Sequence, residues 1–350
     1  MSLPIKSKVY FLPWAKRNKL LNFLTNIKFA NIFKQNDLVA IKTHFGEKGN
    51  KGFVKPEFFE PIIKLIQKKR AYGFLTDTNT IYVGERNQGV KHLIQAAKHG
   101  FSYEKLGVPI VIADGLKGSN YSKIKINAKH FQEVKIASSF IEANTIIAVS
   151  HFKGHILTGF GGAIKNLGMG CAARLGKFEM HSTVAPAVNT HKCTACELCL
   201  KVCPAEALKI VGEKINLDLQ KCLGCGECVV ACRFGALTIT WNESSKNLQE
   251  KIAEYALGAV LNKNLFCLSF INHITMHCDC LKDSQIIGPN IGILASKDQV
   301  AIDQAGLDLV KKKAGEDIFK KAHPTIDHEA QLAHAEKIGL GTRKYELIEL

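Results

Sequence analysis

Eight of the twelve cysteines in this 350-residue chain fall into two runs whose spacing carries a chemical meaning. The first is Cys193-x-x-Cys196-x-x-Cys199-x-x-x-Cys203-Pro204; the second is Cys222-x-x-Cys225-x-x-Cys228-x-x-x-Cys232. Three thiolates so spaced wrap around one cubane, and the fourth of each run crosses to the other cluster. The expected ligand sets of two [4Fe–4S] centres are therefore Cys193, Cys196, Cys199 with Cys232, and Cys222, Cys225, Cys228 with Cys203. Such thiols suit a reducing cytosol rather than a disulfide-forming compartment. Met1-Ser2-Leu3-Pro4 leads almost directly toward a strand and carries no charged-then-apolar signal. No apolar run approaches the roughly eighteen residues of a membrane helix. A cytoplasmic protein that does not enter a membrane is expected.

A second group of candidates lies in His151-Phe-Lys153-Gly-His155, followed by Gly159-Phe-Gly161-Gly162-Ala-Ile-Lys165-Asn166-Leu-Gly168-Met-Gly170-Cys171. A strand end, a glycine-rich turn and a helix start point backbone N–H groups at an anion. The spacing is neither G-x-G-x-x-G nor a phosphate-binding Walker loop, so it is no nucleotide fingerprint. The competing reading is that the glycines only permit close helix–sheet packing. His151, Lys153, His155 and Lys165 beside them favour a catalytic pocket that stabilises negative charge. A third group is His277-Cys278-Asp279-Cys280, in which two thiolates and an imidazole could clasp an additional metal ion, with Cys171 as a further ligand. Against that stands the ordinary fate of reduced cysteines as inert core residues.

These groups need a frame. Short apolar strands are expected at Lys8–Phe11, Leu38–Thr43, Gly73–Asp77, Pro109–Ala113, Asn144–Ser150, Leu265–Ile271 and Ile291–Ala295. Between them run helical patterns, among them Phe59, Ile62, Ile63 and Ile66 after Pro56, and Leu248, Ile252, Tyr255 and Ala259. Ser296-Lys-Asp-Gln299 reads as a capping box before a helix carrying Ile302, Ala305 and Leu309, and Lys311–His334 as a charged, solvated helical tail. Alternating strands and helices give an α/β class with a mostly parallel sheet and flanking helices. Functional loops then leave the carboxyl ends of strands, which selects His44–Asn50, Asp77–Thr80, Asp114-Gly115 and His151 onward. Because the pattern resumes after Trp241, residues 1–187 and 242–350 are expected to form one α/β domain. Residues 188–241 then form a small inserted α+β module.

The net charge is +16, from 47 Lys/Arg against 31 Asp/Glu. Between Val188 and Trp241 six basic residues face five acidic ones, leaving +1 there and +15 elsewhere. The excess could attract an acidic redox partner protein or an anionic small molecule. Scattered lysines without a recognition motif make nucleic acid an unexpected partner, and oligomeric state cannot be read from them.

Lys192-Cys193 through Ile210 aligns with Lys221-Cys222 through Ile239 as a pseudo-repeat. The segment resembles a bacterial two-cluster ferredoxin, with Arg233 in place of the proline usual after the last cysteine. That substitution could raise the nearby cluster's potential, unless solvent screens it. Over most of its length the chain resembles the ferredoxin-fused group catalogued as domain of unknown function three-six-two. The likeness rests on His44-Phe-Gly-Glu47, the stretch His151–Cys171, the eight cysteines, Cys278-Asp-Cys280, and Gly292-Ile-Leu-Ala-Ser-Lys-Asp298 leading to Ala301-Ile-Asp303-Gln304. It implies an α/β domain with an iron–sulfur module and supplies no substrate. The expected function is electron transfer through two [4Fe–4S] clusters to a substrate or metal in the α/β domain, as in a ferredoxin-linked oxidoreductase. The alternatives are a non-catalytic carrier subunit of a larger redox complex and a metal- or cofactor-handling factor.

Overall fold

The computed structural model describes residues 6–182, 184–282 and 284–350. The start at Met1-Ser2-Leu3-Pro4 lies outside them. One sheet of eight strands forms the frame: β1 Ser7–Pro13, β2 Leu38–Lys42, β3 Tyr72–Asp77, β4 Ile110–Ile112, β5 Thr145–His151, β6 Asn264–Ile271, β7 Gly292–Ser296 and β8 Tyr345–Glu349. They lie in the order β8-β1-β7-β6-β5-β2-β3-β4. All neighbours are parallel except β7, which runs antiparallel to both β1 and β6. The fold is α/β with a mostly parallel sheet, as expected.

Period-two alternation divides the core between the two faces. On β5, Ile146 and Ala148 join one apolar cluster, while Ile147 and Val149 join the other. The first face is covered by α1 Ala163–Cys171, α3 Ser245–Val260 and α4 Gln299–Ala314. The second carries the helices Leu20–Asn26 and Glu60–Lys68. Every residue of β5 is buried, which suits a central strand covered on both sides. Helix α1 crosses α3 so closely that a Cβ on Gly168 would stand 2.1 Å from the Ile252 carbonyl oxygen. Close packing therefore accounts for that glycine.

Two expectations change. Helix α4 is capped by Asp298, which accepts from Val300 and Ala301 N–H, rather than by Ser296. The tail is not solvated: Phe319 and Leu332 are core residues, and His334 Nε2 meets Glu254 Oε1 at 3.0 Å. β8, which pairs with β1, was not foreseen; only Tyr345, Leu347 and Ile348 interrupt its polar residues.

Residues 188–241 contribute nothing to the large sheet. Ala187–Val188 pairs with Leu237–Thr238, and Leu208–Val211 pairs with Lys214–Leu217. They enclose a small apolar cluster that includes Ile215, Val229 and Leu237. Its contact with the frame runs through α2 Arg174–His181, whose Phe178 belongs to that cluster, and through Ile81. Trp241 lies against His181 at 4.6 Å between ring centroids.

Candidate redox site

Two small cavities of about 20 Å³ each open within the cysteine-rich segment. One is lined by Cys193, Cys196, Cys199 and Cys232 among Ile210 and Ile215. The other is lined by Cys203, Cys222, Cys225 and Cys228 beside Leu208. Each thus takes three sulfurs from one run and one from the other, the crossed grouping the spacing implies. Backbone N–H groups of Ala195 and Ile215 point at Cys193 Sγ at 3.5 and 3.2 Å, and Ala207 N–H points at Cys203 Sγ at 3.3 Å. Such donors stabilise negative charge on a ligating sulfur. Burial and neighbouring sulfurs push the Cys228 thiol up to about 12, so without a bound cation it stays protonated. Among the described residues no three His, Cys, Asp or Glu side chains converge on a single ion. A cubane asks its four sulfurs to stand apart around a cavity instead, and the lining of each cavity supplies four thiols. Arg233 is exposed, so water and salt screen its charge.

The carboxyl ends of β2, β3, β5 and β6 gather a second, different site. Lys42, the last residue of β2, places Nζ 3.0 Å from Asp77 Oδ1 at the end of β3 and 2.8 Å from Asn166 Oδ1 on α1. Arg86 bonds Asp77 at 3.3 Å, approaches Glu47 at 3.4 Å and binds the Tyr82 hydroxyl at 2.6 Å. Its Nη2 also lies 3.6 Å from Cys280 Sγ. Burial alone would raise the Asp77 carboxyl, but Lys42 and His92 outweigh it and hold that carboxyl well below its usual range. Lys177, on α2, binds the Thr78 hydroxyl and the Ala172 carbonyl, and burial brings its ammonium down to about 8. The third selected loop also arrives here, with Asp114 accepting from Asn79 N–H at 3.0 Å.

The four histidines and lysines expected to be catalytic separate into two pairs. His151 is committed: Nδ1 meets Asp279 at 3.0 Å, and Nε2 lies 3.0 Å from the Asn272 carbonyl. Lys153 donates to the His151 carbonyl at 2.9 Å and reaches Asp279 at 3.5 Å. Burial raises the Asp279 carboxyl, yet His151 and Lys153 pull it far below its ordinary value. These two side chains therefore anchor the loop that carries Cys278 and Cys280. His155 and Lys165 remain available. His155 Nδ1 accepts from Leu157 and Thr158 N–H, and burial, reinforced by Lys165, keeps the ring neutral. Lys165 has no hydrogen-bond partner among the described residues, and burial lowers its ammonium. His181, neutral through burial with its value near 3, faces the same space from α2.

Of the residues expected around an additional metal, the structure brings Cys278 and Cys280 together and sets the others apart. Each acts most strongly on the other: Cys278, with His44 and Arg86, lowers the Cys280 thiol, and Cys280, with burial, raises that of Cys278. His277 packs against His323 at 5.5 Å. Cys171 lies fully buried near Lys42 and Lys177, where burial pushes its thiol up to about 12. The helix start expected to receive an anion is filled by the protein itself. Asp303 of α4 accepts from Ala163 and Ile164 N–H at 2.7 and 2.9 Å, and a Cβ on Gly162 would stand 2.2 Å from its Oδ1. Lys42, Arg86, His92 and His181 had escaped the sequence reading; Lys42 had a signal, a charge ending an otherwise apolar strand.

No curated protein matches the chain. Solved structures that resemble it include the lactate racemase apoprotein from Thermoanaerobacterium thermosaccharolyticum, at 13% identity and a TM-score of 0.44, and a protein from Thermotoga maritima, at 9% and 0.42. They cover 89% and 92% of this chain, whereas the chain spans only 60% and 59% of theirs. Likenesses this weak bear on no chemistry. The model of the family described as Domain of unknown function (DUF362) matches residues 39–308, and the chain belongs to that family.

Proposed function

We propose that this protein is an iron–sulfur electron-transfer protein that carries reducing equivalents to an anionic substrate held at the strand ends of its α/β domain. The observation that supports it most is the crossed grouping of cysteines around two separate cavities. Bound [4Fe–4S] clusters supply one-electron steps at low potential, and the protein's part is to position and to stabilise charge. Cys193, Cys196, Cys199 and Cys232 would hold one cluster and Cys203, Cys222, Cys225 and Cys228 the other. Helix α2 is the shared wall: Phe178 packs in the cysteine module while Lys177 and His181 face the charged centre. Lys165 and His155 bind the anionic acceptor and offset the negative charge that builds as electrons arrive. Exposed Leu219, Leu223 and Phe234 on the module, at 68, 71 and 47% exposure, suit docking of a protein donor. A reducing cytoplasm is the compartment in which eight free thiols of this kind survive.

Cysteine variants test the reading. Cys203→Ser should leave the same residual EPR signal as Cys222→Ser, and Cys232→Ser the same as Cys193→Ser. A Cys203→Ser protein whose residual signal matches that of Cys199→Ser would sink the crossed ligation.

A further inference from the structure

The thiols of Cys278 and Cys280 lie at the charged centre, yet the electron-transfer reading gives them no step. Both are free and half-buried, and they stand two positions apart on one loop. Residues two apart have Cα atoms separated by at most about 7 Å. The chain turns at Asp279-Cys280, bringing them toward the span of about 4.4–6.8 Å that a disulfide bridges. The loop is held at its middle: His151 and Lys153 grip the Asp279 carboxylate, and Glu47 N–H donates to the Asp279 carbonyl at 3.0 Å.

The two sulfurs meet different surroundings. His44 Nδ1 accepts from Gly46 N–H at 3.1 Å, so the neutral ring carries its proton on Nε2, which faces Cys280 Sγ at 3.4 Å. The Arg86 guanidinium stands 3.6 Å from the same sulfur. Donors of this kind favour a thiolate, which is both the better nucleophile and the better leaving group in disulfide chemistry. Among the described residues no such donor reaches Cys278, and the Lys165 ammonium acts on it instead.

We propose that Cys278 and Cys280 are a redox-active dithiol–disulfide couple, with Cys280 as its thiolate member and Cys278 as its protonated member. On oxidation the Cys278 S–H bond breaks, an S–S bond forms, two electrons pass to the anionic acceptor of the proposed reaction, and the proton passes to solvent by way of Lys165. On reduction a one-electron iron–sulfur donor acts twice, the S–S bond breaks, Cys280 departs as a thiolate held by His44 and Arg86, and Lys165 returns the proton to Cys278. The couple thereby collects single electrons into a pair. The source of those electrons rests on the electron-transfer reading above; the couple itself does not.

The full-length protein, purified anaerobically, oxidised with diamide and desalted, is titrated with dithionite and sampled for alkylation and peptide mass. Wild type should take up about two electrons per chain more than Cys280→Ser, and the peptide bearing both cysteines should go from unalkylated to doubly alkylated. Equal electron uptake with that peptide alkylated before reduction overturns the proposal. If Cys280→Ser fails to fold, the wild-type peptide masses decide alone. Iron-free protein whose peptide still shifts on reduction by dithiothreitol would keep the couple and remove the cluster reading.

Discussion

The cysteine module and the charged centre both collect buried or half-buried reactive groups, but they hold them in opposite ways. In the module the sulfurs line two small cavities with mostly apolar neighbours and few polar partners. At the strand ends, charges answer one another: Asp77 meets Lys42 and Arg86, and Asp279 meets His151 and Lys153. The difference teaches where each region gets its stability. On the proposed reading the module would rely on bound metal to satisfy its thiols, whereas the centre pairs most of its charges internally and, among the described residues, leaves the Lys165 ammonium without a hydrogen-bond partner.

The contrast is broken most forcefully at Arg86. Arg86→Met leaves Asp77 and Glu47 short of a buried partner and should cost about 3–5 kcal/mol in chemical denaturation. A loss under 1 kcal/mol would mean that the centre is not held by its charges. Cys225→Ser should act on metal instead, removing about half the iron while the far-ultraviolet circular dichroism of the sheet and helices persists. Global unfolding of that variant would erase the distinction between the regions. Lys165→Ala should leave both cluster signals intact and stability within about 0.5 kcal/mol, because its ammonium has no partner to lose. What it should lose is discharge of the reduced protein by anionic acceptors, followed as the rate of cluster reoxidation.

Acid provides a gentler probe. The Asp279 carboxyl sits far below the unfolded value near 4, so its contribution is complete above that pH and is lost as pH falls through it. The melting-temperature deficit of Asp279→Asn should therefore be full at pH 6 and shrink below pH 4; a deficit independent of pH would contradict the ionised pair. The smallest effect belongs to Arg233→Ala. Its exposed charge should move the cluster potentials hardly at all in a redox titration.

How legible each region was follows from the same contrast. The cysteine runs could be read because their ligands lie within eleven residues of one another and follow a fixed spacing. The rule that loops at strand carboxyl ends carry function selected His44–Asn50, Asp77–Thr80 and Asp114, all of which reach the charged centre. Arg86 was invisible, since a lone arginine in a polar loop gives no period, and its partners Glu47 and Cys280 lie far away in sequence. The glycine-rich turn misled for a related reason. Its helix start does receive an acceptor, but that acceptor is the Asp303 carboxyl, 140 residues downstream of Ala163. His151 and Lys153, expected to be catalytic, both grip Asp279, a partner that lies too far downstream for the sequence to show.

Iron and acid-labile sulfide per chain, measured on anaerobically purified protein, test the central claim most directly. Two [4Fe–4S] clusters require about eight of each. Zinc in place of iron, or iron without sulfide, would contradict the account.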